Sequence, residues 1–220
     1  MNKLYLILEN FPIFIQLVIW LLCFYWLDLE LYPYIFIDYA FLKMAFGMMM
    51  VSCQIYLYQY IYMIIRVDSI FEAGKDTELQ NINEKHDYTT CKKCNILRPK
   101  RAHHCRYCNK CILEMDHHCF SLNKCIGKNN YQFFLRYLIF AQLNSLFIFC
   151  VSLYVCYTFY SDLSLFTLIK YGILIFASLM GSFGLFFYLL FHLYLNISNL
   201  TTIEVIYPNL RINNIRRTDN

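Results

Sequence analysis

The chain divides into long apolar stretches and one extended polar segment. Four stretches each hold about the 20 apolar residues that a helix needs to cross the hydrocarbon core of a bilayer. They cover roughly residues 11–31, 44–65, 133–160 and 171–196. The pattern predicts an all-α membrane protein with four transmembrane helices. The predicted parts are two helices in 1–65, a polar domain in 66–132, two helices in 133–196 and a polar tail in 197–220.

Composition agrees with this interpretation, and the basic residues orient the chain. Hydrophobic residues make up 59% of the sequence and aromatic residues 19%, which is high for a soluble domain. Twelve of the 19 Lys and Arg residues lie in the segment 66–132, and Arg211, Arg216 and Arg217 lie in the tail. Because basic loops stay on the cytosolic side, we expect the polar domain and both termini to face the cytosol.

Seven of the 11 cysteines are concentrated between Cys91 and Cys125. They form C-x2-C pairs and stand next to histidines, which indicates metal binding rather than disulfides. The other four cysteines lie in apolar stretches, where cysteine packs as a small hydrophobic residue. The polar domain is therefore predicted to be a Cys-rich metal-binding domain in a reducing compartment.

An internal repeat of fourteen residues defines the metal ligands. Two sets have the form C-x2-C-x9-H-x6-C, and adding fourteen to each member of the first gives the second. Three thiolates and one imidazole suit tetrahedral zinc, so we predict two interleaved structural zinc sites. The ligand sets are Cys91, Cys94, His104 and Cys111, and Cys105, Cys108, His118 and Cys125. The neighbouring His103 and His117 repeat equally regularly, so the spacing does not choose between the histidines of each pair.

Cys119 is the cysteine that the repeat leaves without a metal. It occupies the position fourteen residues after Cys105 and should open a third site. However, Leu122 stands where the paired cysteine would be, and Gln132 and Ile139 replace the remaining ligands. A spare thiol, or a ligand in an alternative pairing, is the competing interpretation. We predict that Cys119 is a free thiol beside a zinc site.

The residues before Cys119 supply what a nucleophilic thiol requires. A thiol attacks as its thiolate, which forms beside a base or in a positive field. If zinc holds His118, His117 is free to act as the base and Asp116 can orient it. This Asp-His-Cys arrangement is typical of acyl transfer.

These residues resemble the DHHC family of protein S-acyltransferases, or palmitoyltransferases. The resemblance includes the arrangement of two plus two spans around a Cys-rich domain and the sequence Thr201-Thr202-Ile203-Glu204, similar to the family's TTxE motif. Within the Cys-rich domain the matching residues are Cys91, Cys94, Arg98, Pro99, Arg101 to Cys105, Cys108, Cys111, Asp116 to Cys119, Cys125 to Gly127, Asn130 and Phe133.

The resemblance implies a two-step enzyme. Cys119 would take a long-chain fatty acyl group, palmitoyl above all, from acyl-CoA as a thioester. Cysteines of integral or peripheral proteins near the bilayer would then accept it. The family's pattern also puts His104 and His118 on zinc and leaves His117, with Asp116, in the catalytic set.

Further roles follow from the resemblance alone. Contacts with CoA would fall on Arg98, Arg101 and His103, whose side chains suit phosphates. The acyl cavity would include Phe134 and Tyr137, although ordinary core packing explains these aromatic residues nearly as well. Active-site support would come from Thr201, Thr202 and Glu204. We expect an integral protein of the endomembrane system, in the Golgi or endoplasmic reticulum, with its active site facing the cytosol.

One departure from the family pattern keeps a second function open. The family usually has Pro-Trp after the catalytic cysteine, whereas this chain has Phe120-Ser121. A zinc-stabilised membrane adaptor that has weak activity or none is therefore the alternative. Nucleic-acid binding is disfavoured by the interleaved spacing and the flanking spans. A channel or transporter is disfavoured because no charged residue lies deep in a span.

Overall fold

The computed structural model describes residues 40–72, 88–161 and 163–209, and for residues 40–50 it describes the helical backbone alone. Four helices occur in these ranges: α1 at Ala40–Arg66, α2 at Tyr131–Phe159, α3 at Leu165–Ile197 and the short α4 at Thr202–Ile206. Six strands lie between α1 and α2: β1 at Tyr88–Cys91, β2 at Ile96–Pro99, β3 at His103–Cys105, β4 at Lys110–Ile112, β5 at His117–Cys119 and β6 at Lys124–Ile126.

Two of the helices are long and apolar enough to cross a membrane. These are α2, with 29 residues, and α3, with 33 residues, and they coincide with the predicted third and fourth spans. The second predicted span coincides with α1, which does not meet the same test within the described residues. The first predicted span, at residues 11–31, lies outside the described residues. The structure thus supports two of the four predicted crossings.

The prediction of an all-α fold is wrong for the Cys-rich segment, which consists of three antiparallel two-stranded hairpins. Each hairpin turns directly after the first cysteine of its repeat and has an asparagine at positive φ. These are Asn95 at 55°, Asn109 at 53° and Asn123 at 45°, again fourteen residues apart. Asparagine tolerates this left-handed conformation better than most residues. The repeat thus encodes a turn as well as a set of ligands.

The described residues fall into two compact units. The helical unit comprises residues 40–60 and Leu135–Phe191, and the Cys-rich unit comprises residues 61–72, 88–134 and 192–209. Within the helical unit, an apolar cluster contains Val151, Val155, Leu163 and Tyr171. Hydrogen bonds between α2 and α3 also cross this unit, including Gln142 to Ser182 at 2.9 Å. Such pairing satisfies polar groups that hydrocarbon would leave without partners.

Within the Cys-rich unit, Asn130 ties the hairpins to the end of α1. Its buried amide donates to the carbonyl oxygens of Val67 at 3.1 Å and Cys125 at 2.9 Å, and its oxygen accepts from the Gly127 N–H at 2.9 Å. A Cβ on Gly127 would lie 2.5 Å from the Leu113 carbonyl oxygen, so only glycine fits there. These contacts fix where the last hairpin ends and α2 begins.

Candidate active site and zinc-binding clusters

The three hairpins together supply the two predicted ligand sets: the first and second hairpins hold one set, and the second and third hold the other. The donor atoms of Cys91, Cys94, His104 and Cys111 lie within 4.8 Å of one another, and so do those of Cys105, Cys108, His118 and Cys125. His104 Nδ1 lies 3.1 Å from the Cys94 sulfur, and His118 Nδ1 lies 3.5 Å from the Cys108 sulfur. Tetrahedral zinc with bonds near 2.3 Å to sulfur separates its ligand atoms by about 3.8 Å, so both sets fit zinc.

Strand register decides which histidine of each pair joins its set. In the pairing of β3 with β4, His104 lies opposite Cys111 and His103 lies opposite Ile112. The pairing of β5 with β6 sets His118 opposite Cys125 in the same way. Because neighbouring side chains on a strand point to opposite faces, His103 and His117 point away from the clusters.

The third hairpin has the form of a zinc hairpin without the second cysteine. Cys119 ends β5 as Cys105 ends β3, and Leu122, at 2% exposure, takes the place of Cys108. In the second hairpin the Cys108 N–H lies 3.4 Å from the Cys105 sulfur, and in the third the Leu122 N–H makes the equivalent bond to Cys119. Among the described residues, Cys119 belongs to no group of three metal-binding side chains.

Asp116 is the centre of a hydrogen-bonded group at the start of β5. Its carboxylate is 1% exposed and lies 2.7 Å from His117 Nδ1. Thr202, at the start of α4, donates to it twice, from its backbone N–H and from its hydroxyl, both at 2.8 Å. The N-terminal end of a helix stabilises an anion through such N–H groups. The carboxylate is thereby fixed in place and oriented toward His117.

The ring of His117 is enclosed by aromatic side chains. Its centroid lies 5.2 Å from that of Phe134 and 5.8 Å from that of His192. His192 is 1% exposed, and its Nδ1 lies 3.1 Å from the Tyr131 hydroxyl. The sequence analysis missed His192; the available signal was a single histidine within an otherwise apolar stretch. One donor atom each of Asp116, His117 and His192 lie within 4.8 Å of one another.

Contacts among the three predicted catalytic residues lower the pKa values of Asp116 and Cys119 and raise that of His117. Burial opposes ionisation of Asp116, but the hydrogen bonds from His117 and Thr202 outweigh burial and lower its pKa. Burial would lower the pKa of His117, but the contact with Asp116 and the nearby Cys119 raise it to about 9. Burial would raise the pKa of Cys119, but His117, Ser121 and the Leu122 N–H lower it. The arrangement favours a thiolate beside an imidazolium.

The contacts of the Cys119 sulfur include a hydroxyl that the motif analysis did not anticipate. Cys119 is 9% exposed, and its Sγ lies 3.2 Å from the Ser121 Oγ. The Nε2 of His117 is buried and makes no well-aligned hydrogen bond within the part of the chain that the structure describes. Phe120 is 62% exposed and packs edge-on against Tyr107, with the ring centroids 4.9 Å apart.

The TTxE residues connect α4 to both the hairpins and Asp116. Thr201 caps α4, since its side chain accepts from the Glu204 N–H and its own N–H donates to the Glu204 carboxylate at 2.8 Å. Glu204 in turn receives two hydrogen bonds from Arg101, at 2.9 and 3.0 Å. This pair, in which Glu204 is buried and Arg101 is half-buried, holds the start of α4 where Thr202 reaches Asp116.

The three predicted CoA-binding residues differ in their surroundings. Arg101 is engaged by Glu204, Glu114 and the Asn199 carbonyl oxygen. The Nε and Nη1 of Arg98 are buried and have no partner among the described residues. Burial, followed by the charge of Arg98, lowers the pKa of His103 and keeps its imidazole neutral at pH 7. Of the three residues, Arg98 therefore has the donor atoms that most need an acceptor.

The two predicted acyl-cavity residues fall in different units. Phe134, in the Cys-rich unit, is buried and touches the rings of His117 and His192 edge-on. Tyr137, also buried, belongs to the helical unit. Phe134 therefore packs against the ring of His117, the predicted base, in addition to its predicted place in the acyl cavity.

Comparison with known proteins agrees with this site. A search of curated proteins found no match to the chain. A family model described as DHHC palmitoyltransferase matches residues 84–208, which is more than half of the chain and includes the three hairpins, α2, α3 and α4. With both Cys3His clusters, the Asp116–His117 pair and the Thr202 contact inside the matched range, the chain belongs to the DHHC palmitoyltransferase family.

Proposed function

We propose that this protein is an active S-acyltransferase that carries a long-chain fatty acyl group, palmitoyl above all, on Cys119. The observation that carries the proposal is the hydrogen-bonded chain from Thr202 through Asp116 to His117 beside a thiol of lowered pKa. A thiol that only packed as a small apolar residue would have no use for an oriented imidazole and carboxylate. The two zinc ions would supply folding energy to the hairpins.

In the first step, the Cys119 thiolate attacks the thioester carbonyl carbon of acyl-CoA. The Cys119 S–C bond forms, the CoA S–C bond breaks, and the leaving CoA sulfur takes the proton held by His117. The step is favoured because contacts in the site raise the pKa of His117 to about 9 and lower the pKa of Cys119. Asp116 keeps the imidazole oriented during the proton transfer.

In the second step, a cysteine of a protein near the bilayer attacks the Cys119 thioester. His117 takes the proton of the incoming thiol, the new S–C bond forms, and Cys119 leaves as a thiolate. The enzyme returns to its starting state. The two apolar helices α2 and α3 are consistent with membrane association and with substrates whose cysteines lie close to the bilayer.

Arg98 is the residue that we propose for the anionic part of CoA. Its buried Nε and Nη1 need an acceptor, and a phosphate oxygen would supply one. Arg101 and His103 remain proposed contacts, with Arg101 also serving Glu204. Replacing Arg98 with Lys would keep the charge but lose the planar donor pair. We expect the KM for acyl-CoA to rise in R98K more than the maximal rate falls.

The deciding experiment follows the acyl group on the full-length protein in detergent. Purified wild type is incubated with palmitoyl-CoA, and mass spectrometry locates a label that hydroxylamine removes. We expect it on Cys119 in wild type and nowhere in C119S, which should retain its zinc. A control, C150S, changes an exposed cysteine in α2 and should keep the label. A zinc-loaded wild type that never acquires the label would leave the membrane adaptor as the function.

Two separate experiments test the proposed membrane orientation and the proposed organelle. The cytosolic position of the Cys-rich segment rests on the Lys and Arg distribution. A glycosylation site inserted near Asp38 should be modified, and one near Lys85 should not. The opposite pattern would invert the topology. Fluorescence imaging of the tagged protein tests the proposed Golgi or endoplasmic reticulum location.

A further inference from the structure

The turn of the third hairpin brings a second potential acyl acceptor against the nucleophile. Ser121 follows Cys119 by two residues, and its Oγ lies 3.2 Å from the Cys119 Sγ. The side chain is exposed, whereas the neighbouring Leu122 is buried and fixes the turn. At the equivalent positions of the first two hairpins stand Lys93 and Tyr107. The hydroxyl beside the sulfur is thus a property of the third hairpin.

We propose that Ser121 accepts the acyl group from Cys119 and holds it as an oxygen ester. This inference rests on the proposed thioester. An acyl carbonyl carbon bonded to Sγ lies one bond length from the sulfur, so it comes within reach of an oxygen that touches that sulfur. Held at this separation, the hydroxyl has the high effective concentration of an intramolecular reactant.

The transfer is balanced without an outside reagent. The Ser121 Oγ attacks the thioester carbonyl carbon, the C–O bond forms, and the C–S bond to Cys119 breaks. The proton that leaves Oγ ends on Sγ, either directly or through His117, which is the base beside Cys119. The reaction runs downhill because sulfur conjugates poorly with a carbonyl, and a thioester is therefore of higher energy than an oxygen ester.

The product has a consequence for turnover. A substrate cysteine resolves the Cys119 thioester readily, whereas attack of a thiol on an oxygen ester runs uphill. An enzyme that waits too long for its protein substrate therefore becomes acylated on Ser121. The modification stores the acyl group and removes that molecule from the cycle. A scarce protein substrate would increase the modified fraction.

The test uses hydroxylamine at neutral pH, which cleaves thioesters and leaves oxygen esters intact. Full-length protein is loaded with palmitoyl-CoA in the absence of protein substrate, and samples are taken over time. We expect a label that hydroxylamine removes to appear first on Cys119. A resistant label should then grow on Ser121 while the first declines, and added substrate peptide should suppress it. Mass spectrometry assigns each label to its residue.

Variants separate the proposed acceptor from a hydrogen-bonding role. In S121A the resistant share should fall to background, whatever the rate of thioester formation, because the comparison is the ratio of the two labels. S121T keeps a hydroxyl and should keep the resistant label. F120A changes the adjacent exposed side chain, which packs on Tyr107, and should behave as wild type.

Three other outcomes would contradict acyl transfer to Ser121. A wild type labelled on Cys119 alone at all times overturns the inference and leaves the proposed function standing. A resistant label that persists in S121A also overturns it, because the acceptor would lie elsewhere. No label on any residue of zinc-loaded wild type overturns both.

Discussion

The second and third hairpins of the Cys-rich unit match in strand length and turn but differ in the surroundings of their cysteines. Both have three-residue strands, a turn that starts at a cysteine and an asparagine at positive φ. The second hairpin holds Cys105 and Cys108 in one metal cluster, whereas the third holds Cys119 and the apolar Leu122. Within the turn itself, a leucine in place of the second cysteine distinguishes the third hairpin from the second.

The comparison shows how a metal-binding turn can serve a nucleophile. In a zinc hairpin, backbone N–H groups point at the first cysteine sulfur and stabilise its negative charge. The third hairpin keeps this donor, since the Leu122 N–H helps to lower the pKa of Cys119. The charge that zinc would neutralise is instead balanced by His117, whose pKa rises to about 9. Under the proposed function, a Cys119 thiolate would stay reactive because, among the described residues, it belongs to no group of metal-binding side chains.

The largest effect should separate the two hairpins by metal content. C108S removes a zinc ligand, and structural zinc contributes about 10–16 kcal/mol in isolated zinc-finger peptides, so we expect misfolding. C119S should keep the stability of wild type and two zinc ions per chain. Elemental analysis and thermal unfolding measure both variants. Equal zinc loss in the two variants would contradict the assignment of Cys119 as a free thiol.

The next effect comes from making the third hairpin resemble the second. L122C supplies the missing cysteine and gives the turn two thiols that can bind a soft metal together. We expect added zinc to abolish acylation of L122C and a chelator weaker than the structural sites to restore it. L122V, the control, keeps an apolar side chain and should stay insensitive to zinc. If added zinc left the acylation of L122C unchanged, the turn would not bring the two sulfurs together.

A smaller effect distinguishes the histidines that point away from the clusters. H117A should retain both zinc ions and slow autoacylation by about 10²–10⁴-fold, the usual contribution of a general base. H103A, the equivalent change in the second hairpin, should raise the KM for acyl-CoA and leave the maximal rate much closer to wild type. Steady-state kinetics of the two variants make the comparison. Similar rate losses in both would remove the special role of His117.

The smallest effect tests the support that Thr202 of α4 gives to Asp116, just before the third hairpin. T202V removes the hydroxyl bond to Asp116 and keeps the backbone N–H bond. A hydrogen bond to a charged group contributes about 1.5–3 kcal/mol, so we expect autoacylation to slow by about tenfold or more. T202S restores the hydroxyl and should recover the rate. Zinc content and melting temperature should stay near those of wild type, which separates positioning from folding.

The repeat was sufficient to predict which cysteines cluster and to limit the histidine ligands to two adjacent pairs. Cysteine type and spacing are visible in the chain, so the six cysteine ligands and the isolation of Cys119 follow from a shift of fourteen. The long apolar stretches predicted α2 and α3 for the same reason. The asparagines of the turns repeat with the ligands and also signalled hairpins, although the sequence analysis expected an all-α fold.

Tertiary structure alone decided the side chains around the reactive pair. Spacing fits both His103 and His104, and the family resemblance favoured His104; strand register supplies the physical reason, because the alternation of faces separates the two side chains. Thr202 is 86 residues from Asp116 along the chain, and His192 is 75 residues from His117, so both separations far exceed the period of fourteen. The contact of Ser121 with Cys119 depends on the path of the turn. Local patterns specify residue types and periods, whereas contacts between distant segments and side-chain directions arise only when the folded chain brings them together.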